Sequence, residues 1–116
     1  MKLTFREETS FDHVRDRLFG GDDGFRQFQD ALLADPRRGV VIQGAAGARK
    51  ARWSDPRRGM GKRGGIRVIY YYAEAYANVL LILAYDKNIS DLTPAQKKTI
   101  AELIHIFREE LEEEFP

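Results

Sequence analysis

The hydrophobic pattern at the start of the chain predicts one strand followed by two helices. Residues 2–6 alternate between polar and apolar, as in a half-buried strand. Thr9 or Ser10 is the expected N-cap of the first helix, which two consecutive glycines end. Asp22 or Asp23 is the expected N-cap of the second helix. The apolar stripes of the two helices are Phe11, Val14 and Leu18, then Phe25, Phe28 and Leu32.

The rest of the chain predicts three more strands and a long helix. Residues 49–53 form a short alternating run, and residues 66–72 and 79–85 are strongly β-prone, most simply an antiparallel hairpin at the sheet centre. Residues 93–96, Thr-Pro-Ala-Gln, combine an N-cap, a proline at the first helical position and a capping-box glutamine. The order β, α, α, β, β, β, α predicts one small α+β domain over residues 1–116, with a central antiparallel sheet, two N-terminal helices and a C-terminal helix.

Composition and the start of the chain bear on the cellular compartment. The sequence has no cysteine, so neither a disulfide nor a thiolate metal site can form. Arg6, Glu7 and Glu8 interrupt the region where a signal peptide needs an apolar stretch, and no apolar run is long enough to cross a bilayer. We therefore expect a cytoplasmic protein with no membrane partner.

Positive charge is concentrated in one part of the chain, although the formal net charge is only +1. From residue 37 to residue 67 the net charge is +9, because ten basic residues are opposed by Asp55 alone. Clustered Lys and Arg side chains neutralise phosphates and release counterions, so this segment predicts a site for a polyanion. The alternative is a solvated basic loop without a partner. The basic residues are Arg37, Arg38, Arg49, Lys50, Arg52, Arg57, Arg58, Lys62, Arg63 and Arg67.

Motifs for cofactor or metal chemistry are absent or lie in the wrong context. Residues 59–64 match G-x-G-x-x-G, but a dinucleotide-binding motif follows a strand and opens a helix, whereas this one lies in a basic loop before a strand. His13 and His105 belong to separate predicted helices, and the acidic run 109–114 is typical of a solvated helix end. We expect no cofactor and no bound metal.

Basic and aromatic residues instead gather on the predicted strands of the second half. Parity places Lys50 and Arg52 on one face of their strand and Arg49 on the other. Cations hold phosphates, and tyrosine rings can stack on bases, although adjacent tyrosines must face opposite sides and some belong to the core. RNA supplies its own nucleophile, because an aligned 2′-hydroxyl can attack the adjacent phosphate. The candidates are Arg49, Lys50, Arg52, Arg67, Lys87, Tyr70, Tyr71, Tyr72 and Tyr85.

Three consecutive segments resemble a known toxin family. GVVIQGAAGARKARW, GMGKRGGIRVIYYY and LAYDKNISDLTPAQ look like signature segments of the HigB branch of RelE-like toxins, and the resemblance extends from about Phe25 to Arg108. It implies a fold with a central antiparallel sheet, two early helices and a C-terminal helix. It also implies a ribosome-dependent endoribonuclease that cleaves mRNA in the ribosomal A site and stops translation. Its expected partners are the ribosome, mRNA and a small antitoxin, usually a helix-turn-helix protein, through which alone it would reach operator DNA.

The resemblance also assigns roles to individual residues. Lys50 and Arg52 match the basic pair on the family's second strand, where the lysine assists proton transfer. Arg67 matches the arginine that binds the scissile phosphate, and Lys87 matches a basic position after the fourth strand. These four are the expected catalytic residues. The basic and aromatic pattern of the sequence, and not the resemblance, gives the expected RNA-binding residues, which are Arg49, Arg57, Arg58, Lys62, Arg63, Tyr71 and Tyr85.

One departure from the family pattern leaves the base-stacking role open. RelE itself has a tyrosine near its C-terminus that stacks on a base, whereas this chain has no tyrosine after Tyr85. The role is left to Tyr85, to Tyr71 or to no residue.

Two other functions compete with the nuclease expectation. ParE-type relatives share the fold but poison DNA gyrase by binding, without nuclease chemistry. The presence of Lys50, Arg52 and Arg67 favours the nuclease, whose products would be a 2′,3′-cyclic phosphate and a free 5′-hydroxyl. A non-catalytic RNA-binding module would keep the basic cluster but tolerate Lys50→Gln.

Overall fold

A five-stranded sheet forms the centre of the molecule. The structure is a computed structural model that describes residues 2–54, 65–86 and 91–116. The strand order is β1-β5-β4-β3-β2. The strands are β1 (Thr4–Glu7), β2 (Val40–Val41), β3 (Arg49–Trp53), β4 (Ile66–Ala73) and β5 (Asn78–Asp86), and the helices are α1 (Thr9–Phe19), α2 (Asp22–Ala34) and α3 (Pro94–Glu114), with a 3-10 turn at Glu74–Tyr76.

The observed architecture confirms the predicted α+β class. β5, β4, β3 and β2 pair antiparallel, and the two N-terminal helices and the C-terminal helix lie where the sequence places them. Two details were not predicted. β1 joins β5 in parallel, which makes the sheet mixed. The two-residue strand β2 lies in a glycine-punctuated stretch too short to show alternation.

The sheet carries a hydrophobic core on each face. We call the side that packs against α1 and α2 the front face and the side that packs against α3 the back face. The front core contains four phenylalanine rings in mutual contact, with centroids 5.4–6.0 Å apart: Phe11, Phe19, Phe25 and Phe28. The back core lies between α3 and the sheet and is built from Ile69, Leu80, Ile82, Ile100, Ile104, Phe107 and Leu111, among others. This double cover explains why β4 and β5 are almost continuously apolar.

Helix capping follows the sequence at α3 but not at α1 or α2. Thr93 accepts a hydrogen bond from the Gln96 N–H, and the Gln96 side chain accepts one from the Thr93 N–H, which confirms the capping box. The predicted caps of the other helices were wrong. α1 begins after Glu8, which caps no N–H with its side chain, and the Ser10 hydroxyl donates instead to the Ile82 carbonyl at 2.6 Å.

The α1–α2 connection is too tight for an aspartate cap. Gly20 ends α1 in the left-handed region, and Gly21, with φ of +109°, is already the residue before α2. Asp22 and Asp23 therefore lie in the first turn of α2, where their charges favour the positive end of the helix dipole.

Gly24 lies where the two N-terminal helices meet, and its replacement should destabilise the fold. A Cβ at Gly24 would overlap the backbone carbonyl oxygen of Phe19. Because backbone must move to make room, we expect Gly24→Ala to lower the free energy of unfolding by about 1–3 kcal/mol, measured by urea denaturation. Gln27→Ala, at an exposed position of the same helix, is the control and should change it by less than about 0.5 kcal/mol. Equal denaturation midpoints for the two variants would contradict this packing.

The helices of the described residues also bear on membrane association. Within residues 2–54, 65–86 and 91–116, no helix is both long enough and apolar enough to cross a bilayer.

Candidate functional site

The β3–β4 pairing brings three of the predicted catalytic cations together. Arg52 lies directly opposite Arg67, and Lys50 lies two residues before Arg52 on the same strand, opposite Ile69. Ala51 packs in the front core and Ile69 in the back core, so alternation places Lys50, Arg52 and Arg67 on the back face. The sequence predicted the shared face of Lys50 and Arg52 but could not give this register.

A bulge in β5 changes which side chains reach this face. Ile69 pairs with Leu83, but the next residue of β4 pairs with Leu81, so Ile82 is an extra residue in β5. Regular alternation would place Leu81 and Tyr85 on one face. The extra residue separates them, because Leu81 packs in the front core and Tyr85 in the back core.

Tyr85 completes a row of side chains across the back face. It pairs with Arg67, which pairs with Arg52, so the three residues lie side by side on adjacent strands. Burial raises the pKa of the Tyr85 hydroxyl; the Asp91 carboxylate raises it further, and the Arg67 guanidinium lowers it. The hydroxyl is therefore protonated at neutral pH and can donate a hydrogen bond. With only 9% of Tyr85 exposed, its ring offers no free face for a base to stack on.

Asp91 belongs to the same group of residues, although the sequence did not single it out. Its Oδ1 accepts a hydrogen bond from the Lys50 ammonium at 3.1 Å and another from the Leu92 N–H at 3.0 Å. The Lys50 hydrogen bond is the main cause that holds the pKa of Asp91 below its ordinary value. The only sequence signal was its position two residues before the Thr93 cap. Lys50, Arg52, Arg67, Tyr85 and Asp91 are called the back-face site below.

Arg49, predicted to bind RNA, lies on the other side of the sheet. Its guanidinium donates to the carbonyl oxygens of Gly39 at 2.8 Å and Arg37 at 3.2 Å. Both acceptors belong to the α2–β2 connection. Arg49 thus anchors this connection on the front face and is not brought together with the back-face site.

The other tyrosines of β4 are packing residues. Tyr71 lies on the back face, where its ring meets the edge of Phe107 at a centroid distance of 6.3 Å. Tyr70 is fully buried in the front core, and its hydroxyl accepts from the Gly39 N–H and donates to the Pro36 carbonyl. The Tyr70 ring is therefore not free to stack on a base, whereas the Tyr71 ring is partly exposed.

The Tyr70 hydroxyl should contribute measurably to stability. Tyr70→Phe would leave the buried Gly39 N–H and the Pro36 carbonyl without their partner, so we expect it to lower the free energy of unfolding by about 1–3 kcal/mol in urea. Tyr72→Phe is the matched control, because no described residue hydrogen-bonds to the Tyr72 hydroxyl, and it should be nearly neutral. If both variants unfold at the same urea concentration, the Tyr70 hydrogen bonds do not stabilise the fold.

The same hydroxyl predicts a change in stability at alkaline pH. Burial raises the pKa of Tyr70 above its ordinary value of 10.0. Above that pH the unfolded chain loses this proton more readily than the folded chain, so stability should fall as the pH rises. Tyr70→Phe should show a smaller fall in the same titration, and an unchanged fall would exclude Tyr70 as its source.

Five predicted site residues lie outside the described part of the chain: Arg57, Arg58, Lys62, Arg63 and Lys87. Trp53, Ile66 and Asp86 pair across β3, β4 and β5, at the same end of the sheet as the Arg52–Arg67–Tyr85 row.

The two histidines do not lie together. His13 and His105 are exposed on α1 and α3. No group of three His, Asp or Glu side chains that could hold a metal ion occurs among residues 2–54, 65–86 and 91–116. No model of a known protein family matches the sequence.

Proposed function

We propose that this protein is a ribosome-dependent mRNA endoribonuclease, a toxin of the RelE type and HigB branch, that acts in the cytoplasm. The observation that carries the proposal is the row of Arg52, Arg67 and Tyr85 across three adjacent strands, with Lys50 on the same face. Two guanidinium groups, a protonated phenol and an ammonium group then surround one patch of surface. Such a set fits a phosphodiester that gains negative charge during cleavage.

The electrostatic repulsion between Arg52 and Arg67 supports a functional role for the pair. Like charges placed directly opposite each other on antiparallel strands destabilise the pair, and Arg52 lies directly opposite Arg67. Arg52 is exposed and makes no hydrogen bond or ion pair with any described residue. Residues that break a local rule for stable sheets are typical of functional sites. The negative charge of a bound phosphate would attract both guanidinium groups and offset the repulsion between them.

The proposed reaction is an internal transesterification. The 2′-oxygen forms a new bond to phosphorus, the bond from phosphorus to the 5′-oxygen breaks, and the products are a 2′,3′-cyclic phosphate and a 5′-hydroxyl. Arg52 and Arg67 neutralise the phosphate, and Tyr85 donates a hydrogen bond to it. The 2′-hydroxyl loses its proton to solvent. Lys50, as an ammonium group paired with Asp91, gives a proton to the leaving 5′-oxygen.

The proposed partners follow from the resemblance. A small helix-turn-helix antitoxin would neutralise the protein, and operator DNA would be reached only through that antitoxin. Cleavage needs the 2′-hydroxyl aligned with the phosphate. The back-face site supplies charge and a proton donor but no channel that would align the RNA, so the ribosome would present the mRNA in the required conformation.

Brief induction of the protein in growing cells tests the proposal. We expect rapid loss of amino acid incorporation and new 5′-hydroxyl ends within translated mRNA, mapped by sequencing. Continued protein synthesis with trapped gyrase would instead support a ParE-type toxin. Binding to ribosomes without new mRNA ends, unchanged by Lys50→Gln, would support a non-catalytic RNA-binding module.

A further inference from the structure

One edge of the central sheet is open along β1. β1 is the terminal strand of the sheet, and among the described residues it pairs only with β5. The N–H groups of Thr4 and Glu8 donate to β5-side carbonyls at 3.0 and 2.9 Å, so the even-numbered residues of this stretch face β5. The backbone N–H and C=O groups of Leu3, Phe5 and Glu7 therefore point away from the sheet. Such a row of unpaired groups can pair with another strand.

β1 lacks the usual protection of an edge strand. Natural edges are protected by proline, by a bulge or by charged side chains. β1 contains no proline, and its pairing with β5 is regular. Its two charged residues are held by its own chain: Arg6 by Glu114 and the ring of Phe107, and Glu7 by Arg15. The other edge of the sheet, at β2, is only two residues long and offers little backbone for pairing.

The front side of the β1 edge also leaves apolar surface uncovered. A groove of about 420 Å³ lies between the start of β1 and α2, and it is lined by residues 2–5 and by three residues of α2. One of the three, Leu33, is 37% exposed, although leucine is usually buried. Leu3 and Phe5 pack against the front core but are only half-buried. Pairing at this edge would therefore cover apolar side chains as well as backbone groups.

The charges around β1 are complementary to a second copy of the same strand. In a regular antiparallel pairing, residues on the same face lie opposite each other, so the two residue numbers of each pair add up to an even sum. With a sum of 10, Phe5 lies opposite Phe5 of the partner copy, and Lys2 opposite Glu8 of the partner copy. The neighbouring registers oppose like charges: Lys2 meets Arg6 for a sum of 8, and Arg6 meets Arg6 for a sum of 12. Charge therefore selects one register.

We infer that the protein forms a dimer in which β1 pairs antiparallel with β1 of a second copy, about a twofold axis at Phe5. Within the described ranges, the side chains of Lys2 and Glu8 make no hydrogen bond or ion pair, so both are available to the partner copy. The two Phe5 rings meet at the axis, and cross-strand aromatic pairs stabilise antiparallel strands. The dimer goes beyond the proposed function and does not depend on it, because the strands of the back-face site are β3, β4 and β5.

Charge reversal at the two ends of the interface tests the pairing. The full chain is purified, and its dimer dissociation constant is measured by sedimentation equilibrium at low salt. Lys2→Glu opposes two carboxylates at each end and Glu8→Lys opposes two ammonium groups, so each variant should weaken the dimer roughly tenfold or more. Lys98→Glu is the control and should dimerise normally. It is exposed on α3, roughly three turns from Glu110, which contacts Arg6 of β1.

A mixture of the two variants should restore the dimer. In the mixed dimer the new carboxylate faces the new ammonium group, and the unchanged Glu8 faces the unchanged Lys2. We expect the mixture to dimerise about as well as the unmodified protein, which would also show that both variants are folded. An unmodified protein that stays monomeric throughout the concentration series, or variants that dimerise as tightly alone as when mixed, would overturn the pairing.

A single cysteine at the axis tests the register independently. The chain has no cysteine of its own. Phe5→Cys places two thiols directly opposite each other, with Cα atoms about 5.5 Å apart, which suits a disulfide. Thr4→Cys places its two thiols diagonally, with Cα atoms roughly 7–8 Å apart, beyond the usual range. Under mild oxidation Phe5→Cys should cross-link much faster than Thr4→Cys. Equal rates, or faster cross-linking of Thr4→Cys, would contradict an axis at Phe5.

Discussion

Arg67→Gln should slow cleavage of mRNA on programmed ribosomes by a hundredfold or more. Arg67 pairs with both Arg52 and Tyr85 in the row that is proposed to hold the phosphate, so its guanidinium is proposed to stabilise the charge that develops during cleavage. Removal of one preorganised donor from such a site typically costs about 10²–10³ in rate. Arginine stays protonated and cannot act as the base, so the loss should appear at every pH. The measurement is the single-turnover rate at saturating enzyme.

Arg49→Gln is the matched control for this experiment. Arg49 is also an arginine of the central sheet, but it lies on the front face and donates to the Gly39 and Arg37 carbonyls. Its replacement should lower the free energy of unfolding by about 1–3 kcal/mol while the folded variant cleaves at nearly the normal rate. Normal cleavage by Arg67→Gln, or equal losses in the two variants, would show that the Arg52–Arg67–Tyr85 row does not bind the reacting phosphate.

The difference between these two arginines shows what the sequence could predict. The two-residue period of a strand separates Arg49 from Lys50 and Arg52 without any structure. It does not say which face is functional, and the basic segment as a whole predicts RNA binding, so the sequence alone does not exclude Arg49. The carbonyls that Arg49 contacts come from the α2–β2 connection, whose path depends on the buried Tyr70 hydroxyl.

Tyr85 and Asp91 show why part of the site escapes sequence analysis. The face that Tyr85 occupies depends on the bulge at Ile82, and nothing in the apolar run of β5 marks one residue as extra. Asp91 comes close to Lys50 because it lies just before α3, which packs on the back face of the sheet. Such contacts depend on register and on chain paths, whereas periodicity reports only which residues are apolar. The capping box at Thr93 was predictable because all of its atoms lie within four residues.

Lys50→Met should also slow cleavage, by about 10²–10⁴-fold, and the loss should depend on the leaving group. General acid–base groups contribute about this factor, and the Lys50 ammonium is proposed to protonate the leaving 5′-oxygen. Methionine keeps an unbranched apolar stem close to that of lysine but has no proton to give. The Lys50–Asp91 ion pair is largely exposed, and such pairs contribute little to stability, so the variant should melt near the temperature of the unmodified protein.

A message with sulfur in place of the 5′-bridging oxygen isolates this role. A thiol has a pKa near 8.5, far below that of a hydroxyl, so a thiolate leaves without help from an acid. On the sulfur substrate Lys50→Met should therefore recover to within about tenfold of the unmodified protein. Arg67→Gln should stay slow on the same substrate, because the phosphate still gains charge whichever atom leaves. If Lys50→Met is equally slow on both substrates, Lys50 acts as an electrostatic partner of the phosphate and does not donate the proton. If Arg67→Gln also recovers on the sulfur substrate, Arg67 too acts on the leaving group, and the assignment of separate roles to the two cations is wrong.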